Sequence, residues 1–235
     1  MGDELWSDPV SMRYHQKQYL APKASTLKFI DDIQELAKTT SRILDIGCGA
    51  GAATRDISRA FPDTEFWGID SDPNLVDLAR ESIDGNNVKF KVGDAYNLEK
   101  ENFEGVISLQ VLSWLPDYEK PLEEIITKIN PRWIAITSLF YPGQITARTV
   151  IHEHIRKREI NYNTYSLPKF SNFCASLGYR MTFASAFNFP FDLPAPETTD
   201  LMGTYTLKTV EQDVRIQISG PILMNWMTVF LEKEI

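Results

Sequence analysis

The sequence predicts an α/β fold built on a doubly wound, mostly parallel seven-stranded sheet. Three observations predict it. Between residues 41 and 140, short apolar runs alternate with stretches of helical apolar spacing. A glycine-rich turn, Gly47-Cys48-Gly49-Ala50-Gly51, follows the first apolar run directly. Acidic residues, Asp70 and Asp94, then close the second and third runs.

The elements follow in order. Ahead of the sheet, "VSMRYHQKQYL" and "STLKFIDDIQELAK" carry helical spacing and read as two helices outside the doubly wound core. "SRILDIG" is the first strand, and "AATRDISRAF" is a helix with Ala53, Ile57, Ala60 and Phe61 on one face. "TEFWGID" is the second strand. In "SDPNLVDLARESI", the capping residues Ser71 and Asp72 precede Pro73, which marks a helix start. "NVKFKVGD" and "EGVISLQVL" are the third and fourth strands. "PDYEKPLEEIITKI" is the helix that leads to the fifth strand, "RWIAITSLF". Strands separated by helices imply right-handed crossovers and a sheet covered on both faces.

Past residue 140 the pattern changes. "ITARTVIHEHIRKREI" reads as a helix with a charged face, and "SLPKFSNFCASLG" as another, capped by Ser166 and stopped by Gly178. "YRMTFASAFNF", "TYTLKTV", "VRIQISG" and "ILMNWMTVFLEK" alternate and are expected to be antiparallel, supplying a C-terminal hairpin and an extra β-ribbon. The Pro-rich "PFDLPAPETTD" is expected to be a surface loop. One domain over 1–235 is expected, with a helical lid at 1–40, a core at 41–140 and an acceptor-side region at 141–235.

Composition narrows the function. With 235 residues and 43% hydrophobic content, the chain can bury a sizeable core. No run approaches the length of a membrane span, and the N-terminus lacks a signal-peptide apolar core. A formal charge of -8 argues against a nucleic-acid partner. Cys48 and Cys174 imply no disulfide framework, so a cytoplasmic protein is expected, monomeric or homodimeric, with no metal site.

A glycine turn between strand and helix lets a ligand approach the backbone closely, and the helix N-terminus beyond it offers N–H groups. A carboxylate at Asp70 can accept hydrogen bonds from both hydroxyls of a ribose. Gly47-x-Gly49-x-x-Ala52 also satisfies a relaxed dinucleotide fingerprint, and Tyr165-Ser-Leu-Pro-Lys169 has the Tyr-x-x-x-Lys spacing of short-chain dehydrogenases. That pair needs one continuous helix. Pro168 and the capping residue Ser166 place it across a helix start instead, which leaves an NAD(P)-dependent oxidoreductase as a remote alternative.

Taken together, "ILDIGCGAGAAT", "FWGIDSDPNLVDLAR", "KVGDAYNL" and "GVISLQVLSWLPDYEKPLEEI" resemble the class I S-adenosylmethionine-dependent methyltransferases of the small-molecule type, a Rossmann-like family. The resemblance implies S-adenosyl-L-methionine as cofactor and S-adenosyl-L-homocysteine as product. It implies that Gly47, Gly49 and Gly51 border the methionine and ribose parts, and that Asp70, with Ser71 beside it, holds the ribose. It also implies that Asp94 and the Ala95 N–H bind the adenine, that Leu109 and Gln110 flank the methionine end, and that the N-terminal helix brings Tyr19 to the cofactor. The family's usual Pro-Gly-Gly before the fifth strand is here Asn130-Pro131-Arg132.

The expected reaction is methyl transfer to a small polar acceptor, at oxygen rather than nitrogen, such as a sugar or another anionic metabolite. An oxygen nucleophile calls for a general base. The candidates are His152 and His154 beyond the fifth strand, with Tyr14 and His15 in the N-terminal helix. The alternative of another class is a non-catalytic, cofactor-holding scaffold subunit.

Overall fold

A computed structural model describes residues 8–154, 156–188, 191–194, 204–208, 215–219 and 226–233. Helices α1 (Pro9–Lys17) and α2 (Ala24–Ala37) precede β1 (Arg42–Ile46). There follow α3 (Ala52–Ala60), β2 (Glu65–Asp70), α4 (Pro73–Ser82), β3 (Val88–Val92) and β4 (Gly105–Leu109). Helix α5 (Glu119–Glu124) runs on through a π-helical turn, Ile125–Ile129, to β5 (Trp133–Ser138). Short β6 (Phe140–Tyr141), β7 (Val150–Glu153), β8 (Arg158–Asn161) and β9 (Tyr165–Ser166) lead into α6 (Leu167–Ser176). Strands β10 (Tyr179–Ala186), β11 (Thr204–Lys208), β12 (Arg215–Ser219) and β13 (Met227–Lys233) complete the described elements.

The main sheet has seven strands in the order β10-β13-β5-β4-β1-β2-β3. Strands β1 to β5 are parallel, and β13 lies antiparallel between β5 and β10. The parallel order reverses between β1 and β4, so a crevice opens beyond their carboxyl ends. Strands β11 and β12 pair antiparallel in a separate two-stranded sheet.

Strand residues alternate between two cores. Ile43, Phe66, Ile107 and Trp133 pack with Phe29 and Ile33 of α2, Ile57 of α3 and Val76 of α4. Leu44, Ile46, Val106 and Ile134 face the other way, toward Leu122 of α5 and Phe170 of α6. Each fully buried side chain of this size contributes roughly 1.5–3 kcal/mol. Both faces are therefore held, and the carboxyl edge of the sheet is a rigid platform.

One local expectation needs correction. Among the described residues of 145–160 there is no helix. The β-branched residues Val150 and Ile151 pair with Asn161 and Ile160 in a hairpin. The charges that suggest a helix face form cross-strand pairs instead, Glu153 with Arg158 and His152 with Glu159. Lys157, at φ 50, makes the turn. At the start of α4 the cap is Asp72, whose Oδ1 accepts the Asn74 N–H at 3.0 Å, while Ser71 is exposed. The Pro-rich stretch expected as a loop at 190–200 lies mostly outside the described residues.

Helix α6 starts as expected, with Ser166 Oγ accepting the Lys169 N–H at 3.3 Å. Tyr165 therefore sits in β9 and Lys169 in the first turn of α6. The fully buried Tyr165 hydroxyl lies 3.1 Å from the Leu115 carbonyl and 3.2 Å from that of Leu112. A tyrosine so placed is a core residue, and its hydroxyl is spent on the backbone.

Candidate functional site

The crevice is built from the turn upward. Gly47, Gly49 and Gly51 all have positive φ, at 75°, 54° and 78°. Only one of the three points away from the core of the sheet. A Cβ on Gly47 would stand 2.4 Å from a methyl of Val111, and one on Gly51 would stand 2.7 Å from Phe90 and Ile83. Those two glycines let the turn close onto its own core. A Cβ on Gly49 would first meet the imidazole of His15, at 3.4 Å. Gly49 is thus the point where something outside the sheet comes against this backbone.

Asp70 fixes that point. Its Oδ2 accepts the Gly49 N–H at 2.8 Å and its Oδ1 accepts the Asp72 N–H at 3.0 Å. A carboxylate has about four acceptor positions, so these backbone bonds leave it able to accept from a ligand as well. Burial pushes the Asp70 pKa up, and the backbone bonds to Asp72 and Gly49 oppose it. The Gly47 and Cys48 amides bond the Ile69 carbonyl at 2.8 and 2.9 Å, which ties the turn to β2.

Asp94 lies two residues past β3, in a bridge with Asn97, and its Oδ1 accepts the Tyr96 N–H at 2.9 Å. The Gly93 N–H bonds the Asp70 carbonyl at 2.9 Å, so these two acids lie on adjacent strand ends. Asp94 is exposed and Ala95 is buried. Gln110 follows β4 with a φ of 62°, and its N–H bonds the Thr137 carbonyl at 2.7 Å. A non-glycine residue in this conformation is held by its surroundings, a recurrent feature of ligand-binding turns. Leu109 is half-buried at the end of β4 beside it.

Two groups at this site lack an expected role in the sequence reading or gain a clearer one. Asp45 is buried at the end of β1, with Oδ2 accepting from Thr54 Oγ1 at 2.6 Å. Its Oδ1 has no hydrogen-bond partner among the described residues. Burial raises its pKa to about 7; the Thr54 bond opposes this and Asp70 adds to it. His15 is the imidazole at the crevice. Burial, with Lys23 nearby, lowers its pKa to about 4 despite the acids Asp72 and Asp8. Its place four residues before Tyr19 in an amphipathic helix is the only sequence signal.

The other candidates lie apart. His152 and His154 belong to the β7–β8 hairpin and are exposed, with His152 Nδ1 2.9 Å from Glu159 Oε1. Tyr14 stacks edge-on against His15, but it is exposed and its hydroxyl accepts from Lys23 Nζ at 2.8 Å. Tyr19 reaches the turn by donating its hydroxyl to the Ala50 carbonyl. Cys48 is half-buried between the glycines, and burial raises its pKa well above the ordinary thiol value. It is not a nucleophile there.

Residues 43–132 match the family described as "Methyltransferase domain". The chain is 28% identical over 145 residues to malonyl-[acyl-carrier protein] O-methyltransferase of Bacillus anthracis, covering 61% of this chain and 52% of that protein. It is 31% identical over 102 residues to trans-aconitate 2-methyltransferase of Mycobacterium marinum, covering 43% and 37%. The chain thus spans about half the length, or less, of these two curated relatives. Among solved structures it resembles magnesium protoporphyrin IX methyltransferase from Synechocystis with bound SAH, with a TM-score of 0.59, 11% identity and coverage of 97% and 88%. It also resembles an S-adenosylmethionine dependent methyltransferase from Mesorhizobium loti, with a TM-score of 0.59, 13% identity and coverage of 89% and 98%. At that identity the structural likeness establishes the fold.

Proposed function

We propose that this chain, whose residues 43–132 match a methyltransferase domain, is a class I S-adenosylmethionine-dependent methyltransferase that transfers a methyl group from S-adenosyl-L-methionine to a small polar acceptor. The observation that carries the reading is the Asp70 carboxylate, oriented by the Gly49 and Asp72 amides at the mouth of the glycine turn.

The residues present fit the cofactor. Asp70 keeps acceptor capacity for the ribose hydroxyls, and Asp94 lies on the next strand end for the adenine amino group, with the Ala95 N–H beside it. Gly49 permits close approach, and Gly47 and Gly51 shape the turn around it. Leu109 and Gln110 close the methionine side. Ser71, exposed between Asp70 and Asp72, borders the ribose. The half-buried Asp70 carboxylate puts negative potential beside the turn, which suits a cationic ligand.

When bound, the cofactor supplies a methyl group activated on a sulfonium. The protein's part is alignment and exclusion of water, which is worth roughly 7–11 kcal/mol for a well-oriented pair. Neutral His15, next to Gly49, is better placed than His152, His154 or Tyr14 to accept a proton from an acceptor hydroxyl. The names of the two relatives specify acceptors that are carboxylic acids, which supports oxygen over nitrogen as the methylated atom. Arg148, exposed beyond β5, suits an anionic acceptor.

Calorimetry with S-adenosylhomocysteine tests the cofactor. Release of S-adenosylhomocysteine over a panel of carboxylic acids, sugars and amines then tests the reaction. Binding without turnover on any acceptor favours the scaffold alternative, and binding of NAD(P) in its place favours the oxidoreductase.

A further inference from the structure

Helix α1 crosses the glycine turn, yet among its described side chains only Ser11 is buried. Among the described side chains, then, apolar packing does little to seat it. Polar anchors at its two ends do that work. At the rear, Tyr19 donates its hydroxyl to the Ala50 carbonyl, and Arg55 Nη1 donates to the Tyr19 carbonyl at 3.2 Å. Arg55 is itself held by Asp56 at 2.7 Å, with both side chains buried. At the front, Asp8 caps the helix, with its Oδ1 accepting the Ser11 N–H at 3.3 Å.

The carboxylate of Asp8 also faces the β7–β8 hairpin. Its Oδ1 lies 3.8 Å from Arg156 Nε and its Oδ2 lies 3.7 Å from Arg158 Nη1. Glu153 aligns both guanidinium groups from β7, at 3.0 Å to Arg156 and by a shorter contact to Arg158. Two acids and two bases thus join helix and hairpin without net charge. His15 lies seven residues after Asp8, about 10 Å along the helix axis, and rests on Gly49.

We propose that Asp8, Glu153, Arg156 and Arg158 form an ionic latch that seats α1 over the glycine turn, which makes Arg156 and Arg158 positioning residues for the cofactor site. The contacts to Asp8, at 3.7 and 3.8 Å, are longer than the 3.0 Å contact of Glu153 to Arg156, and the Asp8 side chain keeps 28% exposure, so salt weakens them in part. That weakness suits a strap that must open for ligand exchange and close again. The hairpin whose charges suggest a helix in the sequence has, on this account, the task of holding the strap. The effect on ligand release rests on the cofactor reading above; the seating of α1 does not.

The test uses the full chain and two readouts. The first is amide hydrogen exchange of residues 9–19 at 50 mM and 500 mM salt. Exchange in wild type should rise at least threefold with salt. In Asp8→Asn and in Arg156→Gln/Arg158→Gln it should already be fast and no longer respond to salt, with residues 42–46 unchanged. Asp8→Glu should restore wild-type behaviour. The second readout is the dissociation rate of S-adenosylhomocysteine, expected at least fivefold faster in the latch variants, with the combined variant no faster than either alone. If the arginine variant fails to fold, Asp8→Asn and the salt series decide. Equal, salt-independent exchange in wild type and Asp8→Asn overturns the latch, and so does fast exchange with unchanged release. If wild type takes no S-adenosylhomocysteine, the cofactor reading fails while the exchange data still decide the seating of α1.

Discussion

The carboxylate of Asp70 and the amide of Gly49 meet at 2.8 Å, joining the end of β2 to the one position in the glycine turn that faces outward. The bond does two things. It fixes the carboxylate's direction, and it holds the turn at the distance a nucleoside needs. Replacing Asp70 with alanine should weaken S-adenosylhomocysteine binding by about 1–3 kcal/mol, the usual cost of losing charged hydrogen bonds. Calorimetry on the folded variant checks this, and unchanged affinity would mean that the ribose lies elsewhere.

The glycines should separate by role. Gly47→Ala meets Val111 at 2.4 Å and has a φ of 75°, so it should cost more stability than Gly49→Ala, where the nearest atom is 3.4 Å away at a φ of 54°. The left-handed backbone alone costs roughly 1–2 kcal/mol in each. Gly49→Ala should lose ligand affinity out of proportion to its stability. Urea unfolding paired with calorimetry reads both; equal stability losses in the two variants would contradict the assignment.

Two buried groups give opposing pH dependences. Asp45 has its folded pKa raised to about 7 from an ordinary 3.8, so the fold retains its proton longer than the unfolded chain does. Its contribution is full below about pH 4 and is lost as pH rises toward 7. His15 has its folded pKa lowered to about 4 from 6.5, so its contribution is present above 6.5 and is lost as pH falls toward 4. The two largely cancel in wild type between those limits. Relative to wild type, Asp45→Asn should therefore gain stability as pH rises from 4 to 7, and His15→Gln should lose it. Urea midpoints across that range measure both slopes, and parallel curves for all three proteins would contradict the assignment.

Tyr165 tests the remote alternative. Its hydroxyl serves the Leu112 and Leu115 carbonyls and lies 3.2 Å from Asn163 Nδ2. Tyr165→Phe should destabilise the fold by about 1–2 kcal/mol and leave S-adenosylhomocysteine affinity unchanged. A thermal melt and calorimetry check this pair. Loss of a nicotinamide-dependent activity in that variant would revive the dehydrogenase reading.

The front of the chain was legible because each strand there is a short apolar run closed by its own turn signal. Asp70 and Asp94 stand at strand ends in the sequence as they do in the fold, with Asp94 two residues beyond the last paired residue. The hairpin at 150–161 was not legible. Glu153 and Arg158 are five apart, a spacing that fits a charged helix face as readily as a tight hairpin, and tertiary pairing decides between them. The sequence offers His15, His152 and His154 together and does not say which of them lies at the turn. His152 and His154 drew attention as a close pair beyond β5, whereas His15 gains its place only from how α1 lies across the turn. Asp45 sits within the glycine motif, but its shifted ionisation comes from burial, which no spacing encodes.

The most direct test is a crystal structure grown with S-adenosylhomocysteine. The account predicts both ribose hydroxyls within hydrogen-bonding distance, about 2.5–3.0 Å, of the Asp70 carboxylate, with the adenine beside Asp94. A ligand bound away from the ends of β1 and β2, or a crevice that takes a nicotinamide dinucleotide and refuses this one, would contradict it.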